Sequence, residues 1–331
     1  MKKKLKVLSL FDGMSCGQIA LQKMGYTPED YEYYASEIHA PSIKVTQYNF
    51  PNTIQLGDVT QVSYKEGVLY SENGEHTVGK IDLILAGSPC QGFSMAGKQL
   101  AFDDERSKLY FIFERILKEI QAENTNVKFL LENVKMKQEY RNVITKRLGV
   151  EPVAINSNLV SAQNRYRLYW TNTINITKPE DKEILLKDIL QENVQEKYYI
   201  KKGRLQWLKN FGEVKEHKGY IAFDPIKAKY LMVQAEPSWN CTCILQWPHG
   251  SNNGGYRALD GKTPTLTTSS WESNNLLLNE GLIRKLTPEE CEALQTVPVG
   301  YTSCVSDRQR YKTLGNGWTV DVIVHVLKQL L

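Results

Sequence analysis

Nothing in this chain is spaced like a disulfide framework. Its six cysteines, at 16, 90, 241, 243, 291 and 304, are scattered over 331 residues. That excludes a small cross-linked scaffold and points to a reduced, cytoplasmic setting. Cys241-Thr242-Cys243 approaches a metal-ligand spacing, but no second pair completes a tetrahedral site. It reads as a strand with one buried thiol, and no metal is expected. No apolar run approaches the ~18 residues that a membrane span needs. The start, Met1-Lys2-Lys3-Lys4-Leu5, runs directly into a short apolar strand pattern, too short for a signal peptide. The chain also has no internal repeat, no low-complexity tract and no G-x-G-x-x-G spacing, which disfavours a dinucleotide site.

What remains is an ordinary globular composition, 41% hydrophobic and 24% charged. The length suits one large domain and a smaller one. The net charge of +4 is unevenly placed. Nine Lys or Arg stand against three Asp or Glu between Lys197 and Lys229, so the rest of the chain is at −2. Such a stretch suits a polyanion partner or a solvated helix face equally well.

The first half alternates strand patterns (5–11, 31–36, 53–56, 81–86, 127–131) with helix patterns (18–24, 39–48, 109–121, then up to about 148). Residues 61–80 read as a hairpin excursion with Ser71-Glu72-Asn73-Gly74 at its tip, and 153–156 with 167–171 as a closing antiparallel pair. This alternation predicts an α/β fold, a mostly parallel sheet with helices on both faces. After residue 172 the apolar runs shorten and turn clusters appear, as in a small irregular domain. Helical signals return at Thr287-Pro288-Glu289-Glu290, an N-cap with a capping-box Glu, and at 318–330. The expected partition is 1–172 with 306–331, and 173–305.

Chemistry concentrates where the strands end. The run Leu85-Ala86-Gly87-Ser88-Pro89-Cys90-Gln91-Gly92-Phe93-Ser94 presents Cys90 just past a buried strand. Ligands of open α/β sheets bind there, and a thiolate nucleophile needs little beyond positioning. Phe11-Asp12-Gly13-Met14-Ser15-Cys16-Gly17 follows the first strand and opens a helix, a place for a ligand or simply a tight turn. Glu37 closes the second strand, where an acid can hold ribose hydroxyls, and Asp58 closes the third, where it can accept from an adenine amine. Glu132 ends another strand. In Gln163-Asn164-Arg165-Tyr166-Arg167 the two arginines share one face of an extended chain.

These segments, in this order, resemble the DNA cytosine-5 methyltransferases over nearly the whole chain. Arg284 through Cys291, Leu294-Gln295, Pro298, Tyr301 and Gly315-Asn316-Gly317-Trp318-Thr319-Val320 continue the match. Phe11-Asp12-Gly13 and Trp318-Thr319-Val320 resemble the de novo clade and its phage and bacterial relatives. With no long N-terminal extension in this sequence, the bacterial or phage kind is the expectation. The resemblance implies a class I, Rossmann-like methyltransferase domain with a small target-recognition domain, and S-adenosyl-L-methionine as cofactor, leaving as S-adenosyl-L-homocysteine. It implies Cys90, Glu132, Arg165 and Arg167 as catalytic, with Arg165 supporting Glu132 and Arg167 on the ring carbonyl. It puts Phe11, Asp12, Gly13, Ser15, Cys16, Gly17, Glu37, Ile38, Asp58, Val59, Pro89, Leu109, Asn316, Gly317 and Trp318 at the cofactor. It puts Gln91, Ser94, Gly97, Lys98, Arg257 and Thr265 at double-stranded DNA. The protein is expected to act as a monomer on a flipped-out cytosine in restriction-modification or as an orphan or phage enzyme, with a restriction endonuclease as candidate partner. Two positions depart from the pattern: Ser15-Cys16 stands where Gly-Gly is common, and Gly317 where Ser is common. A tRNA methyltransferase on the same fold and a catalytically inactive DNA-binding regulatory paralogue are the alternatives. The basic recognition region and the lack of a Cys-Phe-Thr element argue against the first, and the intact catalytic residues against the second.

Overall fold

The computed structural model describes residues 3–88, 105–200, 214–217, 220–223, 242–246, 255–257, 261–270, 275–279 and 282–331. The chain divides into two compact units. One comprises Met1–Asn156, Tyr166–Pro179 and Gly317–Leu331, the other Ser157–Arg165 and Glu180–Asn316. Compared with the boundaries drawn from the sequence, the second unit also takes in 157–165 and 306–316, and 173–179 falls to the first.

In the first unit β1 (Leu5–Leu10), β2 (Tyr31–Ser36) and β3 (Ile54–Gln55) alternate with α1 (Cys16–Lys23) and α2 (Ala40–Asn49). β4 (Ser63–Lys65), β5 (Val68–Ser71) and β6 (Gly74–Thr77) form a separate meander. β7 (Leu83–Gly87), α3 (Glu105–Glu123), β8 (Lys128–Val134), α4 (Gln138–Leu148), β9 (Val153–Asn156) and β10 (Tyr166–Thr171) follow. Seven of these strands make one sheet in the order β3-β2-β1-β7-β8-β10-β9. All neighbours from β3 to β8 are parallel, and β10 runs antiparallel to both β8 and β9.

β7 reads as an unbroken apolar run because both its faces are covered. Leu83, Ile84, Leu85 and Ala86 are fully buried. Ile84 and Ala86 join a core with Leu8, Leu10, Phe129 and Leu131, closed by Tyr110, Phe113, Ile116, Leu117 and Ile120 of α3. Each Leu, Ile and Phe among them contributes roughly 1.5–3 kcal/mol on burial. Leu85 points the other way, to α1, where a Cβ on Gly17 would stand 2.5 Å from its Cδ1. α7 (Val320–Leu330) packs beside α1. The expected sheet with helices on both faces is what the chain forms.

The excursion at 61–80 has one strand more than expected. Glu66 and Gly67 both take positive φ, 52° and 75°, the turn geometry that joins two strands directly. β4 therefore pairs with β5, and β5 with β6 around the expected tip, where Ser71 faces Gly74.

The second unit carries a six-stranded antiparallel sheet where an irregular region was expected. Its order is β11 (Val214–His217), β12 (Tyr220–Phe223), β16 (Leu282–Lys285), β15 (Leu276–Asn279), β13 (Cys243–Gln246) and β14 (Gly255–Arg257). Cys243 is buried in β13, as the strand reading of that segment expects. α5 (Pro288–Leu294) starts with the expected box: Thr287 Oγ1 accepts from Glu290 N at 3.1 Å, and Glu290 Oε2 accepts from Thr287 N at 2.8 Å. α6 (Asp307–Asn316) completes the unit.

Glu290 also takes both terminal nitrogens of Arg284 at 2.7 Å, a bidentate pair with side chains 5% and 0% exposed. Removing one member leaves the other charge buried without its partner, which costs about 3–5 kcal/mol. Arg284→Ala is therefore expected to lower the urea-unfolding free energy by that order, and a loss under ~1 kcal/mol would contradict it.

Candidate functional site

β1 connects to β2 on one side of the sheet and lies against β7 on the other, so the winding direction changes between β1 and β7. In open α/β sheets the crevice outside the carboxyl ends at such a point takes the ligand. Among the described residues of the first unit, Asp12, Glu37, Asp58 and Glu132 lie at or just past strand ends along this edge.

After β1 the backbone turns sharply. Phe11, Gly13 and Ser15 have φ of 60°, 61° and 60°. For Phe11 and Ser15 this is strained backbone of the kind that clusters at functional sites. Asp12 is 9% exposed and accepts from Ser15 Oγ at 2.5 Å and Tyr33 Oη at 2.9 Å. Burial pushes its carboxyl up to about 6, against those hydrogen bonds. Glu37, just past β2, accepts three backbone N–H groups. Oε2 takes Gly13 at 2.8 Å, and Oε1 takes Ile38 at 2.8 Å and His39 at 2.7 Å. Beside it Ile38 is 72% exposed.

At the third strand end Asp58 Oδ1 accepts from Thr60 N at 2.8 Å, while its own N–H is taken by Glu72 Oε1 at 2.8 Å. Glu72 comes from the β5–β6 turn and crosses Gly57, whose φ is 76° and where any Cβ would overlap the Glu72 carboxyl. Val59 and Leu109, expected at the cofactor, pack into the hydrophobic core or against it.

β7 ends at Gly87 opposite Glu132 of β8. Asn133 Nδ2 donates to Ser88 Oγ at 3.0 Å and fixes the chain just before Pro89. Pro89, Cys90, Gln91, Ser94, Gly97 and Lys98 lie outside the described residues. Glu132 is 8% exposed. Arg167 Nε meets its Oε1 at 2.9 Å, and Trp318 Nε1 donates to its Oε2 at 3.1 Å. An ion pair to Glu132 thus comes from Arg167, which the sequence reading put on the ring carbonyl. Register decides it: Arg167 is paired with Val134, alongside the end of β8.

In the second unit Arg165 is 4% exposed and donates from Nη1 to Leu266 O at 2.9 Å and from Nη2 to Gly315 O at 3.4 Å. Thr265, expected at DNA, donates its hydroxyl to Asn164 O at 2.6 Å. Arg257 lies in β14, paired with Ile244. Asn316 is exposed at the end of α6, and Gly317 is buried. Of the basic stretch, the positions after Ile200 are outside the described residues or described as backbone strands alone. Asn133, Glu72 and the link from Trp318 to Glu132 were not anticipated. Asn133 sits inside a motif already singled out, but Glu72 carries no signal in the sequence.

The family model described as C-5 cytosine-specific DNA methylase matches residues 5–331. The type II methyltransferase M.HpaII of Haemophilus parainfluenzae is 30% identical, over 100% of this chain and 90% of its own. M.HhaI of Haemophilus parahaemolyticus is 26% identical, over 97% and 93%. Among solved structures, a protein assigned as a DNA modification methyltransferase of an Escherichia coli prophage gives a TM-score of 0.62 at 21% identity, covering 99% of each chain. At that identity the likeness concerns the fold alone.

The buried Asp12 makes a pH prediction. Folding raises its pKa from 3.8 to about 6, so the folded chain holds this proton more tightly than the unfolded chain. Its contribution to stability is full below pH ~4 and is lost as pH rises through 6, about 3 kcal/mol in all. The stability of the wild type relative to Asp12→Asn should therefore fall by that order between pH 4 and pH 7. A pH-independent difference in urea unfolding would contradict it.

Proposed function

The chain belongs to the C-5 cytosine-specific DNA methylases, and on that premise we propose that it methylates carbon 5 of a cytosine flipped out of duplex DNA, using S-adenosyl-L-methionine and a covalent adduct on Cys90. The observation that carries this reading is Glu132 at the carboxyl end of β8, with Arg167 on one oxygen and Trp318 on the other. M.HpaII and M.HhaI are type II methyltransferases, which supports a restriction-modification role.

The residues along the edge fit the cofactor. Ile38 offers an exposed apolar surface to a flat purine. Glu37 Oε2 accepts one backbone N–H, which leaves it a lone pair for a ribose hydroxyl. Asp58 spends Oδ1 on Thr60 and keeps Oδ2 for an adenine amine. Phe11, Asp12, Gly13 and Trp318 border the same space in this reading. Bound there, the cofactor supplies a methyl group activated by a sulfonium.

The chemistry asked of the protein begins with the base, whose carbon 6 is inaccessible in a stacked duplex and must be turned out. The Cys90 sulfur, as thiolate, adds to carbon 6 and drives electron density toward carbon 5 and N3. An ionised carboxylate only accepts hydrogen bonds. For Glu132 to bond both N3 and the 4-amino group, N3 must carry a proton, and that proton neutralises the charge created by the sulfur. Arg167 keeps a guanidinium nitrogen for the ring carbonyl while Nε holds Glu132. Carbon 5 takes the methyl group, its proton leaves to a base, and departure of the Cys90 sulfur with return of the N3 proton to Glu132 restores the ring. In this reading Arg165 supports the adduct. Arg257, Thr265, Gln91, Ser94, Gly97, Lys98 and the basic stretch at 197–229 serve the duplex.

Two variants test separate parts. Cys90→Ala should leave plasmid cytosines unmethylated in bisulfite sequencing while cofactor binding persists, and a 5-fluorocytosine duplex with cofactor should trap the wild type covalently. Methylation persisting in Cys90→Ala would sink the mechanism. Glu37→Ala removes a charged hydrogen-bond acceptor and should raise the cofactor Kd roughly 10- to 150-fold. An unchanged Kd by calorimetry would remove Glu37 from the cofactor site.

A further inference from the structure

On the reading above, Glu132 is the carboxylate that meets the cytosine. We infer that Trp318 is its positioning residue, whose indole N–H fixes the plane in which Glu132 presents its oxygens to the ring. A Glu side chain ends in a broad, roughly two-fold torsion, so one ion pair does not set the carboxylate's orientation. Here the two oxygens are held by different elements: Oε1 by Arg167 Nε at 2.9 Å from β10, and Oε2 by Trp318 Nε1 at 3.1 Å from the segment before α7. An indole suits this position because it only donates. It can neither take the proton passing between Glu132 and N3 nor compete for the ring as an acceptor.

The surroundings are cut to this contact. Gly87 lies opposite Glu132 in the sheet. A Cβ there would stand 2.8 Å from Trp318 Nε1 and 3.1 and 3.2 Å from two of its ring carbons. Only glycine lets the indole reach across the end of β7. On the far side the Cys16 thiol lies 3.8 Å from the Trp318 carbonyl, within hydrogen-bond reach for sulfur. Cys16 stands where glycine is common in the family, and through this contact its side chain anchors the backbone that carries the indole. Trp318 thereby ties the turn after β1, the end of β7 and the carboxylate of β8 together.

Trp318→Phe keeps an aromatic ring and deletes the donor. At saturating cofactor and DNA its single-turnover methylation rate should fall roughly 10- to 150-fold, the worth of a hydrogen bond to a charged group. Because Phe keeps the ring that borders the cofactor, the cofactor Kd should rise by a smaller factor than the rate falls, and the thermal midpoint should stay close to that of the wild type. A rate within twofold of the wild type overturns the inference, as does a loss carried by cofactor Kd alone, which would make Trp318 only a cofactor contact. A second measurement needs no activity. With the six tryptophans of the full chain labelled at the indole nitrogen, the resonance missing in Trp318→Phe is that of Trp318. It should move upfield in Glu132→Ala, and a resonance that stays in place overturns the inference. Absence of methylation or of a Cys90 adduct in the wild type would instead defeat the functional reading and leave the indole measurement decisive for this contact.

Discussion

A parallel sheet has no hairpins at its carboxyl edge, so each strand turns away there with backbone N–H groups that no neighbour pairs. In this protein carboxylates take them. Glu37 gathers the N–H groups of Gly13, Ile38 and His39, and so ties the turn after β1 to the end of β2. Asp58 holds Thr60, and Glu72 holds Asp58. The bond from Gly13 to Glu37 holds the strained turn from Phe11 to Ser15 in place. One edge therefore collects Asp12, Glu37, Asp58 and Glu72, an acidic rim suited to a ligand carrying positive charge.

β10 supplies the opposite charge by running backwards. A strand parallel to β8 would begin at the far edge of the sheet, roughly 17–20 Å away for six residues. Because β10 is antiparallel, its first residues lie beside the last of β8, with Arg167 paired to Val134. The guanidinium reaches Glu132 without a long loop. Asn133 then links β8 back to Ser88 at the end of β7, so the segment leading to Cys90 starts from a fixed point.

Glu132 was legible in the sequence because a strand buried on both faces is an apolar run, and the first polar residue after it marks the edge; Glu37 and Asp58 were legible as acids that follow short strand patterns. The capping box at Thr287 was legible because it depends on residues three apart. That Arg167 pairs with Glu132 was not, since residues two apart share a strand face and register sets how far along β8 each one lies. Glu72 and Trp318 act through contacts spanning 14 and 186 residues, and no local pattern records such pairs. The six-stranded sheet of the second unit escaped because strands of three or four residues, widely separated, leave too short a period to recognise.

The first unit is discontinuous in a way that orders its assembly. Its sheet is complete by Pro179, but Gly317–Leu331 arrives only after the 137 residues of Glu180–Asn316. At ordinary rates of synthesis that delay is roughly 7–27 s. Throughout it α1, whose Ile19, Ala20 and Leu21 are buried in the finished protein, lacks the α7 that packs beside it, and Glu132 lacks the indole on Oε2. A nascent chain on the ribosome thus has a formed sheet with an unfinished apolar flank, a natural target for a chaperone. Glu132 acquires its second hold in a single late event, when the segment around Trp318 docks, rather than by degrees as the chain lengthens.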